Sequence, residues 1–172
     1  VTFNANGGSS VSSKTVTYDS PYGTLQTPER TGYAFIGWFT SLSGGNQIKT
    51  ETIVKETKDH TLYAHWIANN YLVTFKSQGG SSDESVKIVT YDSKYGELVL
   101  TEKTGYTFVG WFTKSIGGTE ITSNTQVKTA DNHTLYAHWT ANKYTVTFNT
   151  DGGTSVSQKT VTYDLSYGVL ST

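Results

Sequence analysis

The sequence contains no cysteine and no methionine, and only 2 of its 172 residues are proline. Without cysteine, a disulfide framework, thiolate zinc sites and thiol catalysis are all excluded. No run approaches the ~20 apolar residues that span a bilayer, so membrane insertion is not expected of this segment. No charged-then-apolar leader opens the chain, and Val1 already stands inside an alternating strand pattern. The sequence therefore reads as part of something longer. Charge is also scarce: 16% of residues are charged, with a formal net charge of -1 and the two signs interspersed. There is no basic stripe to release counterions against phosphate, which argues against nucleic acid as a partner. No polybasic or acidic block suggests a membrane-surface anchor or a charged tail.

What is present is aromatic and β-branched. Aromatic residues make up 13% of the chain, with 12 Tyr, 7 Phe and 4 Trp, a profile that favours strands over disorder. The stretch Gly32-Tyr33-Ala34-Phe35-Ile36-Gly37-Trp38-Phe39-Thr40 returns as Gly105-Tyr106-Thr107-Phe108-Val109-Gly110-Trp111-Phe112-Thr113, with the same neighbours around each copy. The chain is thus a tandem array, with modules at 1–72 and 73–145 and the first hairpin of a third at 146–172. This spacing exceeds the 20–50 residues typical of solenoid units, so each module should close its own core.

Within a copy, Val1-Thr2-Phe3-Asn4 alternates at period two, meets the turn Asn6-Gly7-Gly8, and alternates again over Lys14–Asp19. A hairpin is expected, with Val1, Phe3, Val16 and Tyr18 facing one core. The second copy carries one extra residue in the loop Ser81-Ser82-Asp83-Glu84, where an insertion is tolerated. Tyr22-Gly23, Tyr95-Gly96 and Tyr167-Gly168 follow the hairpins. Thr27-Pro28-Glu29-Arg30-Thr31-Gly32 suits a brief helical turn, although the second copy has Thr101 in place of Pro28. The long aromatic strand comes next, then a crossing segment marked by Ile48 and Val54. The copy closes on Thr61-Leu62-Tyr63-Ala64-His65-Trp66, repeated as Thr134–Trp139, with Leu62, Ala64 and Trp66 inward. Short glycine-free linkers, Ile67–Asn70 and Thr140–Lys143, should restrict the angle between modules and favour an elongated rod.

The ordered motifs V-T-F-x-x-x-G-G, V-T-Y-D, Y-G-x-L, G-Y-x-F-x-G-W-F and L-Y-A-H-W resemble the Listeria–Bacteroides repeat, the B-repeat of bacterial internalins, over essentially the whole chain. The resemblance implies a mainly β, α+β fold of tandem β-grasp-like modules with mixed sheets and little helix. It also implies that the first and last strands of each module lie parallel at the sheet centre. It further implies a non-catalytic segment exposed on a bacterial surface or cell wall, or secreted, that spaces or adheres. No ligand residues carry over.

Candidate chemistry is sparse. His60 and His65, like His133 and His138, stand five apart and so fall on opposite strand faces, with no carboxylate motif to complete a metal site. No metal, cofactor or catalytic residue is expected. Trp38, Trp66, Trp111 and Trp139 suit a core better than a sugar-stacking platform. The outward residues Tyr63, His65, Tyr136 and His138, identical in both copies, are the candidate contact face for a surface protein or glycan of a host or neighbouring cell. Gly7-Gly8 lacks the helix and Lys-Ser/Thr of a phosphate loop and reads as a turn. Asp19, Asp92 and Asp164 recur without a second carboxylate. Matched Lys14, Lys87 and Lys159 read as edge-strand guards rather than as partners in a Lys–Asn crosslink, because Asn4 and Asn149 become Lys76 in the second copy. The third hairpin lacks the aromatic stretch, and an isolated hairpin is marginal. Residues 146–172 are therefore expected to borrow a sheet edge from the second copy or from another chain, which would allow self-association.

Overall fold

The computed structural model describes residues 1–81 and 84–170. Of the loop carrying the extra residue, Ser82 and Asp83 lie outside the described residues, as do Ser171 and Thr172. The described chain is made of strands and turns and contains no helix. It divides into two compact units that do not follow the repeats: one holds Val1–Tyr71 with Val89–Ser93 and Gln126–Asp131, the other Leu72–Ile88, Lys94–Thr125 and Asn132–Thr172.

The first copy builds a four-stranded mixed sheet from β1 (Thr2–Asn4), β2 (Tyr33–Phe39), β3 (Gln47–Ile48) and β4 (Thr61–Ala68), in the order β1-β4-β2-β3. β1 and β4 run parallel, with Phe3 opposite Leu62, as the resemblance implied. β1 lies at the sheet edge, however, rather than at its centre. The second copy builds five strands: β5 (Asn70–Lys76), β6 (Ser85–Thr90), β7 (Tyr106–Phe112), β8 (Glu120–Ile121) and β9 (His133–Ala141), in the order β6-β5-β9-β7-β8. Here the parallel pair β5–β9 is interior. The third hairpin pairs β10 (Lys143–Val146) with β11 (Lys159–Thr162) in a two-stranded sheet of its own.

The aromatic strand works through a bulge. Strict alternation would put Phe35 and Trp38 on opposite faces. The register of β2 against β4 shifts between Phe35 and Gly37, and that of β7 against β9 between Phe108 and Gly110. The added residue, Ile36 or Val109, is left exposed, and both large rings then face the core. Trp38 and Trp111 are almost fully buried. Trp38 packs against Phe3 at 4.7 Å and Phe35 at 5.5 Å between ring centroids, while Trp111 meets Phe75 at 4.8 Å and Phe108 at 5.6 Å. Each indole N–H donates to a main-chain carbonyl, of Gln26 and Val99 respectively. Leu62, Ala64, Ile48, Val54 and Tyr22 complete the first core, and Leu135, Ala137, Ile121, Val127 and Tyr95 occupy the matched positions in the second copy.

The Gly-Gly turns do more than reverse the chain. Gly7 takes a left-handed φ of 86°, which glycine adopts without strain. A Cβ on Gly8 would sit 2.5 Å from the Trp66 ring, whose N–H donates to the Ala5 carbonyl. Trp66 is accordingly half-buried, lying over the turn at the margin of the core.

Several expectations are corrected. The segment from Thr27 to Gly32 is not a helical turn: Glu29 N–H bonds the Ser9 hydroxyl while Ser9 N–H bonds the Glu29 carbonyl, so the segment is laid against the loop that follows the Gly-Gly turn. Lys87 does lie on an edge strand, β6, and Lys159 on β11 of the two-stranded sheet, but the matched lysines are bonded to carbonyls rather than left free along the edge. Lys14 Nζ donates to the carbonyls of Tyr22 and Thr24, at 2.6 and 2.7 Å, and thereby clips the Tyr-Gly turn. Lys87 and Lys159 make the same bond to Glu97 and Val169. Tyr18 does not face the core but is 55% exposed. The linkers are not linkers either, because β4 runs to Ala68 and β5 begins at Asn70, leaving Asn69 alone between strands. Among the described residues the second copy lends no ladder edge to the third hairpin, and a different contact attaches it.

Candidate functional site: the joint between repeats

The residues that repeat most faithfully, apart from the core, meet where one copy passes into the next. Asn69 sits between β4 and β5, donating its N–H to the Gly32 carbonyl and accepting from the Tyr91 N–H, each at 2.9 Å. Asn142 repeats both bonds, with Gly105 at 2.8 Å and Tyr163 at 2.9 Å. One asparagine therefore ties the Gly-Tyr turn of one copy to the Tyr-Asp turn of the next.

Side chains close the same joint. The Tyr33 hydroxyl donates to the Asp92 carboxylate at 2.6 Å, and Tyr106 to Asp164 at 2.9 Å. Tyr33 and Tyr91 meet edge to face at 5.6 Å, as do Tyr106 and Tyr163. Gly32 has to be glycine for two reasons. Its φ is 79°, and a Cβ would lie 2.4 Å from the Tyr91 ring; at Gly105 the corresponding values are 79° and 2.3 Å from Tyr163. The aspartates themselves take left-handed φ angles of 62°, 62° and 59° at Asp19, Asp92 and Asp164, a conformation that aspartate tolerates better than most side chains.

Charge sharpens the first joint. Lys128 pairs with Asp92, and Arg30 lies over the Tyr33 ring at 3.8 Å. The bonds from Lys128 and then Tyr33 hold the Asp92 carboxyl below the usual carboxylate range. Conversely, the bond to Asp92 raises the Tyr33 hydroxyl above its ordinary value, and the bond to Asp164 does the same for Tyr106. Each joint lies inside one compact unit: Gly32, Tyr33, Asn69, Tyr91, Asp92 and Lys128 in the first, Gly105, Tyr106, Asn142, Tyr163 and Asp164 in the second.

The histidines and outward tyrosines singled out from the sequence lie elsewhere. His65 stacks on Phe39 at 3.9 Å, and its Nε2 bonds the Ser41 carbonyl at 2.9 Å; His138 repeats this with Phe112 and Lys114. His60 and His133 each share a 2.7 Å hydrogen bond with the buried Tyr22 and Tyr95. Tyr63 and Tyr136 are half-buried, each standing opposite a phenylalanine across the sheet. Among the described residues no group of three or more His, Cys, Asp or Glu could hold a metal.

Alternation alone does not find the joint, because it places Tyr18 in a core and leaves the aspartates solitary. A usable signal is nevertheless present. Asn69 and Asn142 follow alanine in both copies, and Asp92 and Asp164 directly follow Tyr91 and Tyr163, at positions where an alternating strand pattern asks for neither.

The motif order agrees with the comparisons. Residues 1–65, 71–138 and 144–172 match the family model of the Listeria-Bacteroides repeat domain. The chain belongs to this family. It is 36% identical over 165 residues, 95% of its length, to a putative membrane protein of Evansella cellulosilytica, covering 24% of that protein. It is 38% identical over 115 residues, 67% of its length, to internalin H of Listeria monocytogenes, covering 20% of it. The chain thus spans about a quarter or less of the curated relatives it matches.

Proposed function

We propose that this chain is a non-catalytic repeat segment of a bacterial cell-surface or secreted protein, and that it serves as a spacer holding other parts of that protein away from the cell. The observation that carries the reading is the joint. A single asparagine separates consecutive repeats, and it is bonded on both sides by residues that recur at every boundary in the chain. A joint of that kind resists bending, which is what a spacer needs and a flexible tether lacks. The names of the relatives, a membrane protein and an internalin, support placement at the surface.

The alternative is an adhesive array, in which many weak contacts add by avidity. Tyr63 and Tyr136 would be its contact residues, presented at matched positions beside His65 and His138, whose rings are fixed by stacking. Surface display separates the two readings. Placed between a wall anchor and a reporter head on a Gram-positive cell, a spacer should move the head outward in proportion to the number of repeats. Cells carrying the segment without the head should not adhere to glycan- or protein-coated surfaces. Adhesion above background that disappears on replacing Tyr63 and Tyr136 by serine would overturn the spacer reading.

A further inference from the structure

The last strand of the second copy is held against its first by more than the ladder between them. β5 and β9 run parallel over four pairs, from Val73 with His133 to Lys76 with Tyr136, in the interior of the sheet. Side chains extend this contact past both ends. Ahead of the first pair, the Leu72 N–H donates to the Asn132 side-chain carbonyl at 2.8 Å. Beyond the last pair, the Gln78 amide donates to the Ala137 carbonyl at 2.5 Å, and the Trp139 indole N–H to the Ser77 carbonyl at 2.7 Å. The first copy repeats the latter two bonds, from Asn6 to Ala64 at 3.2 Å and from Trp66 to Ala5 at 2.9 Å. Val73, Phe75, Leu135 and Ala137 are fully buried on these strands.

The direction of these strands decides how tension would reach them. The chain enters the second copy at the start of β5 and leaves it at the end of β9. In a parallel pair these are opposite ends, so a pull along the chain draws the two strands lengthwise past each other. The bonds of a parallel ladder are evenly spaced, and sliding loads them together with the side-chain bonds that flank them. A pull across the strands would instead open the same bonds one after another from one end. Only Asn69 separates β4 from β5, so no loop yields before the ladder is loaded. Strands β6, β7 and β8 come between β5 and β9 in sequence and are shielded from the pull until those two part.

We propose that this chain carries tensile load along its length, and that the β5–β9 pair with its Asn132, Gln78 and Trp139 bonds is the clamp that sets the force at which the second copy gives way. The Gln78 and Trp139 bonds matter because they tie the segment just after β5 to β9, where sliding would otherwise begin to free the ladder. Load bearing goes beyond the spacer reading. A spacer needs length and stiffness but not resistance to tension, and an adhesive array under flow would need the same clamp, so either reading can fail alone.

The test is single-molecule pulling of the 172-residue chain in two directions. Because the sequence holds no cysteine, introduced thiols fix where the handles attach. Leu72→Cys with Thr140→Cys pulls β5 and β9 lengthwise, whereas Leu72→Cys with Asp131→Cys pulls their adjacent ends apart. Forced unfolding reads the unfolding rate. At the same constant force the lengthwise chain should survive about a hundredfold longer or more, at roughly tenfold for each further hydrogen bond that must break together. It should then yield in one step of up to roughly 240 Å, the extended length of the residues between its handles. Gln78→Ala should shorten the lengthwise lifetime by about tenfold and leave the crosswise one unchanged, because Gln78 lies at the far end of an opening ladder. Equal lifetimes in the two directions would overturn the proposal, and so would gradual lengthening without a step. A Gln78→Ala variant that shortens both lifetimes alike would also overturn it, by reducing that bond to general stability. If Leu72→Cys prevents folding, Thr74→Cys on the same strand takes its place in both chains.

Discussion

The first and second copies differ in what their sheets enclose although their motifs are nearly the same. Phe75 and Val73 are fully buried in an interior strand, and Val89 is buried as well, whereas Phe3, Val1 and Val16 are only partly buried. The difference does not come from these residues, which are identical pair by pair. It lies in the strands that carry them: β5 runs through seven residues, Asn70–Lys76, and stands between β6 and β9, whereas β1 is three residues long and lies at the sheet edge. The strand that carries Phe75 is thus built partly from residues ahead of its own motif.

This comparison breaks most visibly at the buried phenylalanines. Phe75→Ala removes a fully buried ring and should cost about 3–5 kcal/mol. Phe3→Ala removes a partly exposed one, whose transfer contribution should be roughly half as large. Trp38→Ala and Trp111→Ala are the control, since both indoles are almost fully buried; each should cost about 3–5 kcal/mol in its own copy. Denaturant titration followed by hydrogen exchange of the Leu62 and Leu135 amides resolves the two copies. Equal losses at Phe3 and Phe75 would show that the edge position of β1 carries no energetic weight.

The joint gives a second, smaller contrast. Gly44 and Gly32 both have positive φ, 69° and 79°, but a Cβ at Gly44 meets nothing within 4 Å while one at Gly32 enters the Tyr91 ring. Gly44→Ala should therefore cost only backbone strain, about 1 kcal/mol. Gly32→Ala should add an overpacking cost of about 1–3 kcal/mol and release the Tyr91 amide to exchange. If the two substitutions cost the same, the close approach of Gly32 to Tyr91 is unimportant.

Much of the fold was legible because it follows from side-chain periodicity. The inward Leu62-Ala64-Trp66 face and the crossing residues Ile48 and Val54 lie where alternation and apolar size place them, whereas the aromatic strand reaches the core with both rings only through its bulge. What was not legible came from bonds between residues far apart in sequence. No local pattern reveals that Lys14 clips the Tyr22-Gly23 turn, or that Asp92 answers Tyr33 from 59 positions away. Alternation misplaces Tyr18 for the same reason. Tyr18 continues an alternating run, but residues 14–18 form no strand in the first copy and the ring is exposed. The threefold recurrence of a motif carried the information, and only the contacts between copies said what it was for.

Acid and base should dissolve the joint from opposite sides. Asp92 has a lowered folded pKa, so its contribution is present above the ordinary carboxylate value of about 4 and is lost as pH falls through the lowered one. Tyr33 has a raised folded pKa, so its contribution is complete below the ordinary phenol value of about 10 and is lost as pH rises through the raised one. Exchange of the Tyr91 amide, corrected for its intrinsic pH dependence, should therefore be slowest between these limits. Asp92→Asn should remove the acid limb and leave Tyr18 unaffected. An unchanged acid limb in that variant would place the titrating group elsewhere.

The smallest effect concerns a position where the two copies differ inside an otherwise matched contact. Pro28 and Thr101 precede Glu29 and Glu102, which pair in the same way with Ser9 and Ser81. Thr101 is buried and among the described residues its hydroxyl has no hydrogen-bond partner, a cost that proline at the same place does not carry. Proline also narrows the unfolded ensemble where the backbone already suits it, and Pro28 shows that the matched segment accommodates the ring. Thr101→Pro should therefore stabilise the second copy by about 0.5–1 kcal/mol, read as a rise in denaturation midpoint at constant slope. Thr101→Val separates the two causes, because it removes the unpaired hydroxyl and keeps the chain entropy. If valine gives most of the gain, the desolvated hydroxyl is the main cause of the difference; if it gives none, the first copy owes its advantage here to the stiffness of proline.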